Sequence, residues 1–121
     1  MTCSIYTHKI KRLNGDVIGN ALIANTWWLR LRGLLGRKLE DQEGILITPC
    51  NSVHMVGMKY PIDIVYLNKE NAIVKITENL RPWQFSACRQ AHKVLELSTK
   101  NSETKTLKVG DTLRFELMRE I

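Results

Sequence analysis

Cysteine is scarce and poorly placed for bracing a small fold: Cys3, Cys50 and Cys88 are the only three among 121 residues, and no C-x-x-C pair occurs. That spacing excludes the commonest zinc and thioredoxin-like motifs. An odd set of distant thiols predicts free cysteines rather than a disulfide framework. No apolar run approaches the roughly 20 residues of a membrane-spanning helix. The opening Met1-Thr2-Cys3-Ser4-Ile5-Tyr6 supplies neither the basic segment nor the apolar core of a secretory leader, so the expected address is cytoplasmic, with no membrane partner. A Gly-rich phosphate loop and a G-x-S-x-G elbow are both missing. Repeats, low-complexity tracts and linkers are missing too, which predicts one domain over residues 1–121. A chain of this length buries roughly two-thirds of its unfolded surface and folds without metal or disulfide. Neither a cofactor nor a metal is expected.

What the chain does contain is a basic excess: 18 Lys and Arg against 12 Asp and Glu, a net charge of +6. Such a charge permits attraction to nucleic acid or anionic lipid, but it governs encounter rather than fold. An apolar content of 44% excludes a disordered chain.

Ser4 to Ile10 alternates β-branched or aromatic with polar residues and predicts a strand. Asn14-Gly15 predicts a tight hairpin turn, and Val17 to Ala24 the return strand with Gly19 as a candidate bulge. Asn25-Thr26 offers an N-cap, and Trp27, Leu31, Leu34 and Leu35 recur at helical spacing before Gly36. This pattern predicts a short helix over residues 26–35. Lys38 to Glu43 reads as a surface loop. Gly44 to Thr48 predicts a strand ended by Pro49, and Cys50 to Met58 a second extended stretch. Ile62 to Leu67 predicts a strongly apolar strand that turns at Asn68–Asn71 into a partner over Ala72 to Thr77. Leu80 to Ala87 reads as a loop pinned by Trp83 and Phe85. His92 to Leu97 and Thr112 to Met118 predict two further strands, separated by the polar run Ser98 to Thr106 and a turn at Val109-Gly110-Asp111. Seven or eight short strands with one helix predict an α+β, β-rich domain. Its mainly antiparallel sheet would be barrel- or sandwich-like, with the short helix packed against it and capping the open end.

Three stretches carry a family resemblance: Arg32-Gly33-Leu34-Leu35-Gly36; the run from Gly44 through Ile-Leu-Ile-Thr-Pro-Cys-Asn-Ser-Val to His54; and Gly57-Met58 with Pro61-Ile62-Asp63-Ile64-Val65-Tyr66-Leu67. Together they resemble the bacterial domain-of-unknown-function family 192, and Val94-Leu95-Glu96-Leu97 and Gly110-Asp111 are similar to its closing segments. The likeness runs from about Ala21 to Phe115. It implies a β-barrel-like domain with a short helix, and no established activity, cofactor or substrate. Met55 stands where the family string has Thr, which removes a hydroxyl from beside His54.

The densest patch of chemistry is Cys50, His54, Met58 and Asp63. On an unbroken strand, positions 50, 54 and 58 share a face, and Cys, His and Met suit copper(I). Core packing of Cys50 and Met58 is the preferred reading, because thioethers commonly fill gaps. Asp63 falls by alternation on the face of Val65 and Leu67, where a carboxylate needs a cation or several donors. The candidate partners are Arg32 and His54. The expectation is therefore a polar pocket at the helix–sheet junction formed by Arg32, His54, Met58 and Asp63. Glu96, between Leu95 and Leu97, is expected to point outward into solvent. Neither Ser52 nor Cys50 beside His54 makes a convincing nucleophile pair, so no catalytic residue is assigned. These observations suggest a small binding or accessory module for an unknown small molecule or protein. The rival is a weak single-stranded nucleic-acid binder, using Arg30, Arg32, Arg37 and Lys38 near Trp27 and Trp28, extended by Arg81, Trp83 and Arg89.

Overall fold

The computed structural model describes residues 7–24 and 39–118. The predicted helix over 26–35, and Arg32 with it, lies outside the described residues, as does the start of the first predicted strand. The first hairpin joins β1 (His8–Arg12) to β2 (Val17–Ala24). Gly15 supplies the turn with φ of +98°, a value that L side chains rarely adopt. The register slips between Ile10, opposite Gly19, and Lys11, opposite Val17, so the bulge falls next to the expected Gly19. A Cβ on Gly19 would stand 2.8 Å from the Gln42 carbonyl oxygen, which explains the missing side chain there.

Beyond residue 38 come β3 (Glu43–Ile47), β4 (Ser52–His54), β5 (Ile62–Leu67), β6 (Ile73–Leu80), β7 (Phe85–Ala87), β8 (Lys93–Ser98) and β9 (Leu113–Leu117). A 3-10 turn at Ser102–Thr106 is the one helical element among the described residues, capped by the Asn101 side chain, which accepts from the Glu103 amide. Seven strands form one sheet in the order β6-β5-β8-β3-β2-β1-β9, and β4 and β7 form a second. All pairs are antiparallel except β2 with β3, which makes the large sheet mixed. A parallel pair cannot be joined by a tight hairpin, and β2 and β3 are accordingly far apart in sequence, ending at Ala24 and starting at Glu43.

The edge strands β6 and β9 meet at a single bridge, Ala72 with Thr112. The Ile73 amide donates to the Asp111 carbonyl beside it at 2.7 Å. One bridge is not a ladder, so among the described residues the sheet curls without closing, and the barrel- or sandwich-like sheet expected from sequence is an open, curled sheet with a small second sheet beside it.

Alternation along β5 divides the core in two. Val65 and Leu67 pack with Ile10, Ile18, Leu46, Leu95, Leu97 and Leu113 in one cluster. Ile62, Ile64 and Tyr66 pack with Ile45, Ile47, Val53, Met55, Met58 and Val94 in the other. Strand β5 is buried at all six positions because both of its faces are covered. The small β4–β7 sheet contributes Val53 to the second cluster, and it lies outside the large sheet as a separate layer.

Candidate functional site

Asp63 meets the demand that alternation placed on it, but with partners other than those expected. Its Oδ1 accepts from the Asn79 amide at 2.8 Å and its Oδ2 from Lys105 Nζ at 2.6 Å. The carboxylate side chain is 3% exposed and that of Lys105 is 41% exposed. Lys105 comes from the 3-10 turn, 42 positions away in sequence. His54 is elsewhere: it is exposed at the end of β4, with its ring 4.7 Å from that of Phe85 at an interplanar angle of 51°. Met58 is buried in the cluster on the opposite face of β5 from Asp63. The even spacing of residues 50, 54 and 58 also fails to hold them on one face. The strand ends at His54, and Gly57, with φ of +81°, turns the chain so that the Met58 amide donates to the Met55 carbonyl. The half-buried Cys50 thiol donates to the Ser52 carbonyl at 3.1 Å. A cavity of about 240 Å³ beside Cys50 is lined by Pro49, Asn51, Ala91 and His92, and it includes none of His54, Met58 and Asp63. The described residues thus place those three in three environments rather than in one pocket.

Glu96 corrects the sequence expectation most sharply. Instead of pointing into solvent, it is 7% exposed, flanked across the ladders by Ile45 and Ile64. Successive residues of β8 from Val94 to Ser98 are all buried, so neither face of the strand is free. Burial pushes its carboxyl up to about 7. Tyr66, on the same face of the sheet, donates to Ser86 Oγ of β7 at 2.8 Å, tying the two sheets together. Burial raises the phenol, and the bond to Ser86 opposes the rise.

The outer surface of the β4–β7 layer has a different character. Trp83 is 71% exposed, Phe85 59% and Val56 57%. These aromatics do not pin the 80–87 segment from inside; they project from it. The register pairs His54 with Phe85, which sets the two rings side by side. The Met55 amide donates to the Gln84 carbonyl and the Trp83 amide to the Met55 carbonyl, each at 2.9 Å, so the turns carrying Val56 and Trp83 are locked together. Met55, between them, is 1% exposed and roots the layer in the core. Trp83 sits at φ of +69°, a left-handed conformation that costs on the order of 1–3 kcal/mol for a non-glycine residue and clusters at functional positions. Lys59, Arg81 and Arg89 are exposed on the turns around this layer. Sequence reading singled out Arg81, Trp83 and Arg89, took Phe85 for an inward anchor of the 80–87 loop, and passed over Val56 as one member of the extended stretch Cys50 to Met58.

An open, curled β-sheet with a small second sheet over one face defines a β-rich domain class. Residues 9–115 match the model of the domain-of-unknown-function family 192, described as "Uncharacterized ACR". The chain belongs to that family. It is 26% identical over 118 residues to a UPF0127 protein of Thermococcus sibiricus (strain DSM 12597 / MM 739), covering 92% of this chain and 76% of that one. Two crystal structures share the fold. One, from Sinorhizobium meliloti 1021 and named a "putative transcription regulator", has a TM-score of 0.77 and 20% identity over 95% of this chain and 98% of its own. The other, a protein of unknown function from Novosphingobium aromaticivorans DSM 12444, has a TM-score of 0.73 and 21% identity over 89% of this chain and 83% of its own. At such identities the likeness concerns the fold alone. No helix among the described residues is long and apolar enough to cross a membrane.

Proposed function

We propose that the domain is a binding module whose working surface is the outer face of the β4–β7 layer: His54, Val56, Trp83 and Phe85. The observation that carries this is the exposure of three large apolar side chains, Phe85 at the start of β7 and Val56 and Trp83 on turns locked to each other by backbone hydrogen bonds. Isolated exposed apolar residues need no explanation, but a group of them on a rigid support marks an interaction site. Of the four residues first grouped as a pocket, His54 belongs to this surface. Asp63 serves the join between sheet and 3-10 turn, and Met58 serves packing.

The test is a thermal-shift and tryptophan-fluorescence screen of the wild type and the Trp83→Ala/Phe85→Ala double variant against nucleotides, metabolites, metal ions, peptides and short oligonucleotides. Ligands that move the wild type should leave the variant unmoved, while the variant keeps its circular dichroism. Ligands that shift both proteins equally would place the site elsewhere.

A further inference from the structure

We infer that the occupant of this surface is single-stranded nucleic acid, an inference that rests on the β4–β7 layer being the binding surface. The observations favour this occupant in two ways. The projecting groups are dominated by flat rings (Trp83, Phe85 and His54), and a ring exposed on a rigid turn offers its face to any unpaired base regardless of sequence. The charges on the surrounding turns are Lys59, Arg81 and Arg89, all exposed and none in an ion pair with another described residue. They match a phosphate backbone, and the net charge of +6 favours the encounter. Lys75, on the adjoining strand, is already committed to the Ala87 carbonyl at 2.9 Å and lies 5.7 Å from the Tyr66 ring centroid. Duplex fits poorly, because its bases are stacked on one another and unavailable to protruding rings. An apolar peptide would leave the cations unused.

The experiment is fluorescence anisotropy of a labelled oligothymidylate of about ten nucleotides, within the footprint range of small single-strand binders. The same duplexed sequence and a polyglutamate of matched charge serve as competitors. Three phosphate contacts releasing about 0.7 counterion each give a log–log salt slope near −2. That is roughly a 20-fold loss of affinity from about 50 to 200 mM salt. Trp83→Ala should weaken binding roughly 10- to 100-fold, the scale of one lost stacking contact, with circular dichroism unchanged. Arg81→Ala should flatten the slope by about 0.7. Polyglutamate competing as well as the oligonucleotide, or Trp83→Ala binding like wild type, would overturn the inference. If no oligonucleotide binds at low salt, the occupant is wrong. The surface assignment then stands or falls separately, on whether the double variant loses some other ligand found in the screen.

Discussion

Replacing Glu96 with glutamine should stabilise the protein above neutral pH and change little in mild acid. The carboxyl is buried on a central strand, between Ile45 and Ile64 across the ladders, and burial raises it from 4.5 to about 7. Ionising it in the folded state therefore costs more than in the unfolded chain. At about 1.36 kcal/mol per unit of pKa, the excess is about 3 kcal/mol. The sign follows from which state releases its proton first. Below about pH 4.5 both states hold the proton and Glu96 costs nothing by ionisation. Between about 4.5 and 7 the unfolded chain has released its proton while the folded chain retains it, so stability falls as pH rises. Above about 7 the loss is complete and constant. Glutamine, close in shape and never charged, lacks this dependence. Urea denaturation of wild type and Glu96→Gln at about pH 5 and pH 8 isolates the residue, because contributions common to both proteins cancel in the difference. The variant should gain about 3 kcal/mol relative to wild type at the higher pH and about 1 kcal/mol or less at the lower. Parallel pH profiles, or a variant less stable than wild type at pH 8, would refute the reasoning by showing that the carboxylate has a partner that favours its charge.

Asp63→Ala strands the Asn79 amide and Lys105, and should cost about 2 kcal/mol by chemical denaturation. The loss is less than for a fully buried pair because Lys105 can recover water. Asn101→Ala removes the donor to the Ile18 carbonyl and the cap on the Glu103 amide, and a loss of about 2 kcal/mol is expected from the same assay. Gly44→Ala would drive a Cβ to 2.8 Å from Leu97 Cδ2 and 3.1 Å from the Glu96 carbonyl. The expected cost is about 1–3 kcal/mol, read as a lowered urea midpoint. The Trp83→Ala/Phe85→Ala variant should stay within about 0.5 kcal/mol per substitution of wild type, because both side chains face solvent.

Local signals carried much of the fold. Asn14-Gly15 marked the first hairpin, the Asn68–Asn71 turn marked the β5–β6 hairpin, and the alternation Asp63-Val65-Leu67 put the carboxylate on a covered face. What stayed hidden is non-local. Leu95-Glu96-Leu97 has the period of a strand with one wet face, and only the tertiary packing, with Leu95 and Leu97 in one buried cluster and Val94 in the other, reveals that neither face is wet. Lys105 lies in a polar run with no periodicity, so nothing in its neighbourhood identifies it as the partner of Asp63. His54 and Met58 flank the turn at Gly57, and that turn breaks the parity on which their grouping with Cys50 rested. Trp83 and Phe85 read as anchors because aromatics are usually buried; Trp83 instead sits on a turn held to Met55 by two backbone bonds, and Phe85 faces outward because alternation along β7 buries Ser86.

Backbone amide chemical-shift mapping on titration with the oligothymidylate tests the binding surface most directly, since each residue reports separately. Perturbations should concentrate at His54, Val56, Lys59, Arg81, Trp83, Phe85 and Arg89, and leave Asp63, Lys105 and the β1–β2 hairpin unmoved. Shifts confined to that hairpin or to the 3-10 turn, with the β4–β7 layer silent, would contradict the account.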